Sequence, residues 1–186
     1  MSVFKMSSLT ITVVFFTALL SCTGEKNTKQ KAAQPGTPQA DTQQSVNAGI
    51  NFTAPDLQGV SRESSQWIGK QPVVLNFWGT WCPPCRREIP DLVKLYDEYH
   101  SRGIEMIGLA VKDEPGDVSA YAMRAGMKWV LLMANDDVIQ AYNVVNGVPT
   151  TVFLGADGRE ITRFIGNQTY EAFKPAFEAI LQGYRQ

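Results

Sequence analysis

An apolar run, Val73-Val-Leu-Asn-Phe-Trp78, leads through Gly79-Thr80-Trp81 into Cys82-Pro83-Pro84-Cys85 and on into a stretch where Leu92, Leu95, Tyr96 and Tyr99 recur three or four residues apart. The run has the length of a buried strand, and the recurrence is that of one helix face. Whatever the chain folds into must therefore place a C-x-x-C where a strand turns into the start of a helix. That position has chemical consequences. Free backbone N–H groups and the positive dipole end of a helix favour a thiolate, and such placements bring a cysteine pKa from about 8.5 to roughly 3.5–7.5. Pro83 falls in a helical first turn, which tolerates its missing N–H. Cys85, one turn in, is placed to resolve a mixed disulfide formed at Cys82.

Two blander roles for the pair fail on chemistry. A structural zinc site needs four ligands, and neither a second C-x-x-C nor paired histidines accompany this one. A static disulfide across residues three apart closes a tiny loop and constrains the unfolded chain little. The only histidine, His100, sits at the expected end of the helix, in a solvated or dipole-facing place.

The remaining pattern predicts strands alternating with helices. Phe52 to Gly59 reads as a short strand and turn, followed by a brief helix around Glu63–Ile68. A helix runs from Pro83 to about Ser101 and stops at Gly103. Then come a strand at Ile104–Val111, a helix at Gly116–Ala125, a strand at Trp129–Met133 and a helix at Asn135–Tyr142, capped by Asn135 or Asp136. Thr150–Leu154 and Glu160–Ile165 flank Ala-Asp-Gly, a hairpin signal. A last helix, Thr169–Gln182, carries Tyr170, Phe173, Phe177 and Ile180 on one face. The expected class is α/β, a sandwich around a mixed sheet. At 186 residues the chain suits one domain with appendages. With 17 basic against 18 acidic residues and no basic stripe, nothing favours nucleic acid as a partner.

The third cysteine belongs to the N-terminus. Lys5 precedes an apolar stretch, Leu9 to Leu20, of about a dozen residues, the proportions of a signal peptide rather than of a membrane span. Leu19-Leu20-Ser21-Cys22 resembles the lipobox of bacterial lipoproteins. The resemblance implies a signal peptide over 1–21, cleavage before Cys22, and acyl chains on Cys22 that hold the protein at a membrane surface, each buried CH₂ contributing about 0.8 kcal/mol. Residues 22–49, rich in Gln, Thr, Ala, Gly and Pro, read as a flexible tether, which leaves 50–186 as the folded domain. With Cys22 acylated, Cys82 and Cys85 pair with each other or with a partner.

Phe77-Trp78-Gly-Thr-Trp81-Cys82-Pro-Pro-Cys85 resembles the thioredoxin superfamily, and within it the TlpA/ResA-like, membrane-tethered thiol–disulfide oxidoreductases. The resemblance runs from about Ile50 to the end. It implies a thioredoxin-like three-layer sandwich with a central mixed β-sheet, an N-terminal extension and a central helix–strand insertion between Cys85 and Pro149. Gly147-Val148-Pro149-Thr150 matches the family's cis-proline loop, so the Val148–Pro149 bond is expected to be cis. Pro90 matches the proline that kinks the family's active-site helix by removing one backbone bond, and Gly166 a small residue beside the groove. The resemblance thus assigns a substrate groove to Trp81, Pro83, Pro84, Val148, Pro149 and Gly166, while Trp78 is expected in the core. One departure stands out. Cytoplasmic thioredoxins carry a buried aspartate where this chain has Asn76, which cannot titrate. Glu88, three residues after Cys85 and on the same helix side, matches a glutamate of ResA-like proteins linked to proton exchange with the cysteines. Partial burial is expected to raise its pKa.

The function implied is extracytoplasmic, at the bacterial cell envelope on the periplasmic side: dithiol exchange that reduces disulfides in exported proteins, with Cys82 and Cys85 as the redox centre and no other cofactor. Pro-Pro between the cysteines resembles the reducing TlpA/ResA group and not the Pro-His of the oxidising DsbA enzymes. The family's partners are a membrane electron donor of CcdA/DsbD type and, among substrates, apocytochrome c during cytochrome c maturation. A copper-handling protein on the same fold would need a histidine near the dithiol, and His100 is misplaced for it. A thiol peroxidase of the related redoxin group would need a threonine and proline spacing around its reactive cysteine that this chain does not match.

Overall fold

The computed structural model describes residues 49–184; the expected signal peptide, Cys22 and all of the tether but Gly49 lie outside them. Seven strands and four helices follow one another as β1 (Thr53–Pro55), β2 (Ser61–Glu63), β3 (Val73–Trp78), α1 (Pro83–Tyr99), β4 (Glu105–Val111), α2 (Pro115–Ala125), β5 (Val130–Ala134), α3 (Asp136–Ala141), β6 (Thr150–Leu154), β7 (Glu160–Ile165) and α4 (Tyr170–Gln182). Five of the strands form one mixed sheet in the order β5-β4-β3-β6-β7, and β1 and β2 make a separate antiparallel pair. Among the described residues no helix is long and apolar enough to cross a membrane.

Every residue of β3 is buried, as expected of a strand covered on both faces. Its side chains divide by the period of two. Val73, Leu75 and Phe77 join a core with Phe52, Val138 and Tyr142, on the α3 side. Val74 and Trp78 join the other core, built by Leu92, Leu95 and Tyr99 of α1, Val118 of α2, and Phe173, Phe177 and Ile180 of α4. Asn76 lies between Val74 and Trp78 on this second face, a buried polar residue under α1. β3 runs parallel to β4 and antiparallel to β6. The β3-α1-β4 and β4-α2-β5 crossovers therefore carry the chain one way across the sheet, and α3 returns it to the other side of β3.

The helix ends obey local chemistry. Asn135 accepts the Val138 N–H at 3.0 Å and caps α3, and Thr169 accepts the Ala172 N–H at 3.4 Å and caps α4. After Tyr99, α1 tightens into a 3₁₀ turn, His100–Arg102, closed by Gly103 at φ 103°. One expected element differs. The helix predicted around Glu63–Ile68 is reduced to a 3₁₀ turn, Ser64–Gln66, with Glu63 at the end of β2. Ser64 is buried and its hydroxyl accepts the Phe52 N–H at 2.8 Å, which ties this segment to the start of the domain.

Gly108, in the middle of β4, sits beneath two indoles. A β-carbon there would lie 2.8 Å from Leu131 Cδ2, 2.9 Å from Trp129 Nε1 and 3.1 Å from Trp78 Nε1. Gly108→Ala is expected to overpack this face and to lower stability by about 1–3 kcal/mol, read as a shift of the urea midpoint at unchanged m-value.

Candidate active site

At the end of β3 the chain turns at Gly79-Thr80-Trp81 and enters α1. The turn is held from β4 and the loop after it. The Asp113 carboxylate accepts the Thr80 N–H at 2.5 Å and the Thr80 hydroxyl at 2.8 Å. Trp81 Nε1 donates to the Val111 carbonyl at 3.0 Å, and Arg86 donates back to the Thr80 carbonyl at 2.9 Å. The Trp81 ring folds over Gly79 and remains 54% exposed.

Cys82 is the N-cap of α1, and Pro83 and Pro84 occupy its first two positions. Neither proline has an N–H, so the first donor of the helix is that of Cys85, which points to Cys82 Sγ at 3.2 Å. Sequence reasoning expected several free N–H groups at this helix start; only one of the first three positions supplies one. The two sulfurs are joined as a disulfide. Cys82 keeps 2% exposure and Cys85 none, so only Cys82 meets solvent. The Val148–Pro149 bond is cis, and the Val148 carbonyl oxygen lies 3.7 Å from Cys82 Sγ. Gly166 N–H donates to the Pro149 carbonyl at 2.9 Å, so the loop after β7 braces the proline loop. Trp78 is fully buried, as expected. Pro90 is carried inside a continuous α1.

Glu88 is 1% exposed, deeper than the partial burial expected. Burial pushes its carboxyl up from the ordinary 4.5 to about 7, against the lowering effect of hydrogen bonds from Asn76 and from the Gln168 backbone. Asn76 Nδ2 donates to Glu88 Oε1 at 3.0 Å, and the Gln168 N–H donates to Oε2 at 3.3 Å. Asn76 Nδ2 also donates to Thr151 Oγ1 at 2.9 Å. Asp113, Thr151 and Gln168 escaped the sequence reading; each acts across 33 to 80 residues of chain and leaves no local pattern.

His100 lies at the far end of α1, about 25 Å of helix from the dithiol, stacked on Tyr96 at 4.6 Å between ring centres. Among the described residues no three His, Cys, Asp or Glu side chains gather as a metal site.

A buried, cis-proline-braced disulfide at a helix start, with a carboxyl of raised pKa on the same helix, on a five-stranded mixed sheet, defines a thioredoxin-fold thiol–disulfide oxidoreductase. Residues 47–161 match the model of the AhpC/TSA family, and the chain belongs to that family. It is 35% identical to the thiol–disulfide oxidoreductase ResA of Halalkalibacterium halodurans over 132 residues, 70% of this chain and 74% of that one. It is 34% identical to ResA of Geobacillus thermodenitrificans over 131 residues, 70% of this chain and 74% of that protein. Among solved structures, a thioredoxin-family thiol:disulfide interchange protein from Chlorobium tepidum superposes with TM-score 0.66 at 29% identity, covering 73% of this chain and 96% of its own. A secreted disulfide oxidoreductase of Mycobacterium tuberculosis, homologous to DsbE of E. coli, superposes with TM-score 0.62 at 26% identity, covering 69% and 95%.

The raised carboxyl makes a stability prediction with a definite sign. The folded state holds the Glu88 proton more tightly than the unfolded chain does, so its contribution is complete below about pH 4.5 and is lost as pH rises to about 7. The loss amounts to about 3 kcal/mol. Urea unfolding at a series of pH values should show this decline in the wild type and not in Glu88→Gln.

Proposed function

We propose that this protein is a membrane-tethered, extracytoplasmic protein-disulfide reductase. Cys82, the sulfur that meets solvent, attacks a disulfide of an exported protein; one substrate sulfur leaves as a thiol and a mixed disulfide forms. Cys85 gives its proton to the Glu88 carboxylate, and its thiolate attacks Cys82 Sγ. The Cys82–Cys85 bond forms, the bond to substrate breaks, and the electron pair leaves on the substrate sulfur, which takes up a proton. Trp81, Pro83, Pro84, Val148, Pro149 and Gly166 border the groove in which the substrate chain lies. Oxidised C-x-x-C-His segments of apocytochrome c are the substrates proposed first, with a membrane electron donor of CcdA/DsbD type returning Cys82 and Cys85 to the dithiol. Acylated Cys22 and the tether that follows it would hold the domain at the envelope, on the periplasmic side; the secreted Mycobacterium tuberculosis relative supports the compartment.

The observation that carries the direction is the donor count at the helix start. A disulfide is strongly oxidising when its reduced form is stabilised, and the thiolate of Cys82 is stabilised by N–H groups aimed at it. Of the N–H groups that reach an N-cap side chain, those of the second and third helical positions, Pro84 removes one and leaves the Cys85 N–H alone. A poorly stabilised thiolate favours the disulfide and makes the dithiol a reductant.

The midpoint potential of the Cys82/Cys85 couple, measured against a dithiothreitol series, should lie toward thioredoxin's roughly −270 mV; a value near the roughly −120 mV of DsbA would reverse the direction. Pro84→Ala restores one N–H. A hydrogen bond to a charged group contributes about 1.5–3 kcal/mol, so the potential should rise by roughly 30–60 mV. Cys85→Ser should accumulate a mixed disulfide at Cys82, and mass spectrometry of that adduct identifies the substrate.

A further inference from the structure

The buried amide of Asn76 is incompletely satisfied. Its Nδ2 serves two acceptors, Glu88 Oε1 and Thr151 Oγ1, while its Oδ1 is buried with no hydrogen-bond partner. A buried acceptor left alone costs about 1–3 kcal/mol, so it requires a reason. We propose that Asn76 is a positioning residue for the proton step at Glu88: its amide turns over when the carboxyl gains a proton, so that Nδ2 holds the carboxylate and Oδ1 holds the acid. This rests on the reading of Glu88 as the proton carrier.

The geometry allows both orientations. Rotating the amide by half a turn places Oδ1 where Nδ2 stands, within 3.0 Å of Glu88 Oε1 and 2.9 Å of Thr151 Oγ1. A carboxylate only accepts, and Nδ2 suits it. A carboxylic acid has an O–H to donate, and Oδ1 suits that. The Thr151 hydroxyl both accepts and donates, so it fits either orientation. Oε2 already accepts the Gln168 N–H at 3.3 Å, which leaves Oε1, the oxygen facing Asn76, to carry the proton. The turned orientation strands Nδ2 and its two N–H groups in place of Oδ1, so it is adopted only when a proton on Oε1 supplies a donor to Oδ1. A rigid salt-bridging side chain could not follow the charge in this way; an amide can, because its two ends have opposite polarity on one plane.

The groups facing Glu88 are few. β3 supplies Asn76, β6 supplies Thr151, and the loop after β7 supplies the Gln168 N–H. On α1 itself, Cys85 lies three residues back, and Asp91, three residues on, is held by Lys94 at 2.9 Å and by the Tyr170 N–H at 3.1 Å. α4 turns apolar Phe173 and Phe177 to this core. Glu88 is thus the group whose charge the Asn76 amide meets.

The test is made on the full chain, oxidised and reduced, by following the side-chain NH₂ signals of Asn76 in ¹⁵N NMR from about pH 5 to about pH 9. The signals should titrate with one midpoint near 7, the value to which burial brings Glu88. Contacts from the NH₂ protons to the Thr151 methyl should be present at high pH and lost at low pH. Both changes should vanish in Glu88→Gln. In Asn76→Leu the carboxylate loses its donor and the acid loses its acceptor, so the inflection in the rate of disulfide reduction against pH should stay close to its place, whereas loss of an amide that only donates to the carboxylate would move it up by about one unit. Thr151 contacts that persist across the titration, or an inflection raised by about one unit in Asn76→Leu, overturn the turning amide while leaving Glu88 as carrier. A rate profile unchanged in Glu88→Gln overturns both. The NMR arm uses the native sequence and reads out even where Asn76→Leu does not fold.

Discussion

The site hangs on β3, a six-residue strand buried on both faces. Its pairing with β4 on one side and β6 on the other fixes where its last residue points. Trp78 pairs with Ala110 and Phe77 with Thr150, so the turn that leaves β3 emerges between the end of β4 and the beginning of β6. The end of β4 leads to Asp113, which grips Thr80, and the beginning of β6 follows the cis Val148–Pro149 bond, whose Val148 carbonyl faces Cys82. Two strands that share hydrogen bonds with β3 therefore supply the two braces of the dithiol. The period of two does the rest: it turns Asn76 to the α1 side and under Glu88. A one-residue slip would send Asn76 to the α3 face and Leu75 under the acid.

Much of this was legible in the chain because it is written locally. The bounds of β3, β6 and β7 match those expected from the sequence, and those of α1, α2, β5 and α4 to within a residue or two, because their apolar spacing and caps are contiguous. The dithiol was legible for the same reason, as was Glu88, three positions along one helix. The braces were not. Asp113 has nothing in its own neighbourhood to mark it, since its partner Thr80 is 33 residues away and the two meet only once β3 and β4 pair in parallel. Gln168 acts through its backbone N–H, which every residue but proline has. Ser64 misled for a related reason. Its hydroxyl is consumed by the Phe52 N–H, a contact across 12 residues, and the helix expected there gives way to a single turn.

Asn76 was read from the sequence as a loss, an aspartate replaced by a residue that cannot titrate. Its surroundings show what the replacement makes possible. An aspartate there would stand within hydrogen-bonding distance of Glu88, two carboxyl groups in one apolar core, and like charges that close cannot both ionise. One of the two would stay protonated across the working range. With an amide on β3 and a single acid on α1, the core carries one titrating carboxyl, and the hydrogen bond between them fixes its orientation.

The two sulfurs are thereby governed from different directions. Cys82 takes its environment from the helix start, where the two prolines strip away donors and leave the Cys85 N–H. Cys85, with no exposure of its own, cannot exchange its proton directly with bulk water, and a buried thiolate without a base nearby would be costly. Glu88 is the nearby acid on its helix, raised to where it can both take and return a proton near neutral pH. On the proposed reading, the prolines act on Cys82 and set how strongly the pair reduces. The carboxyl, on the same reading, acts on Cys85 and sets the pH range in which that sulfur closes the cycle. On that reading the two controls lie on successive turns of α1, and potential and pH dependence would be altered separately, the one at Pro84 and the other at Glu88.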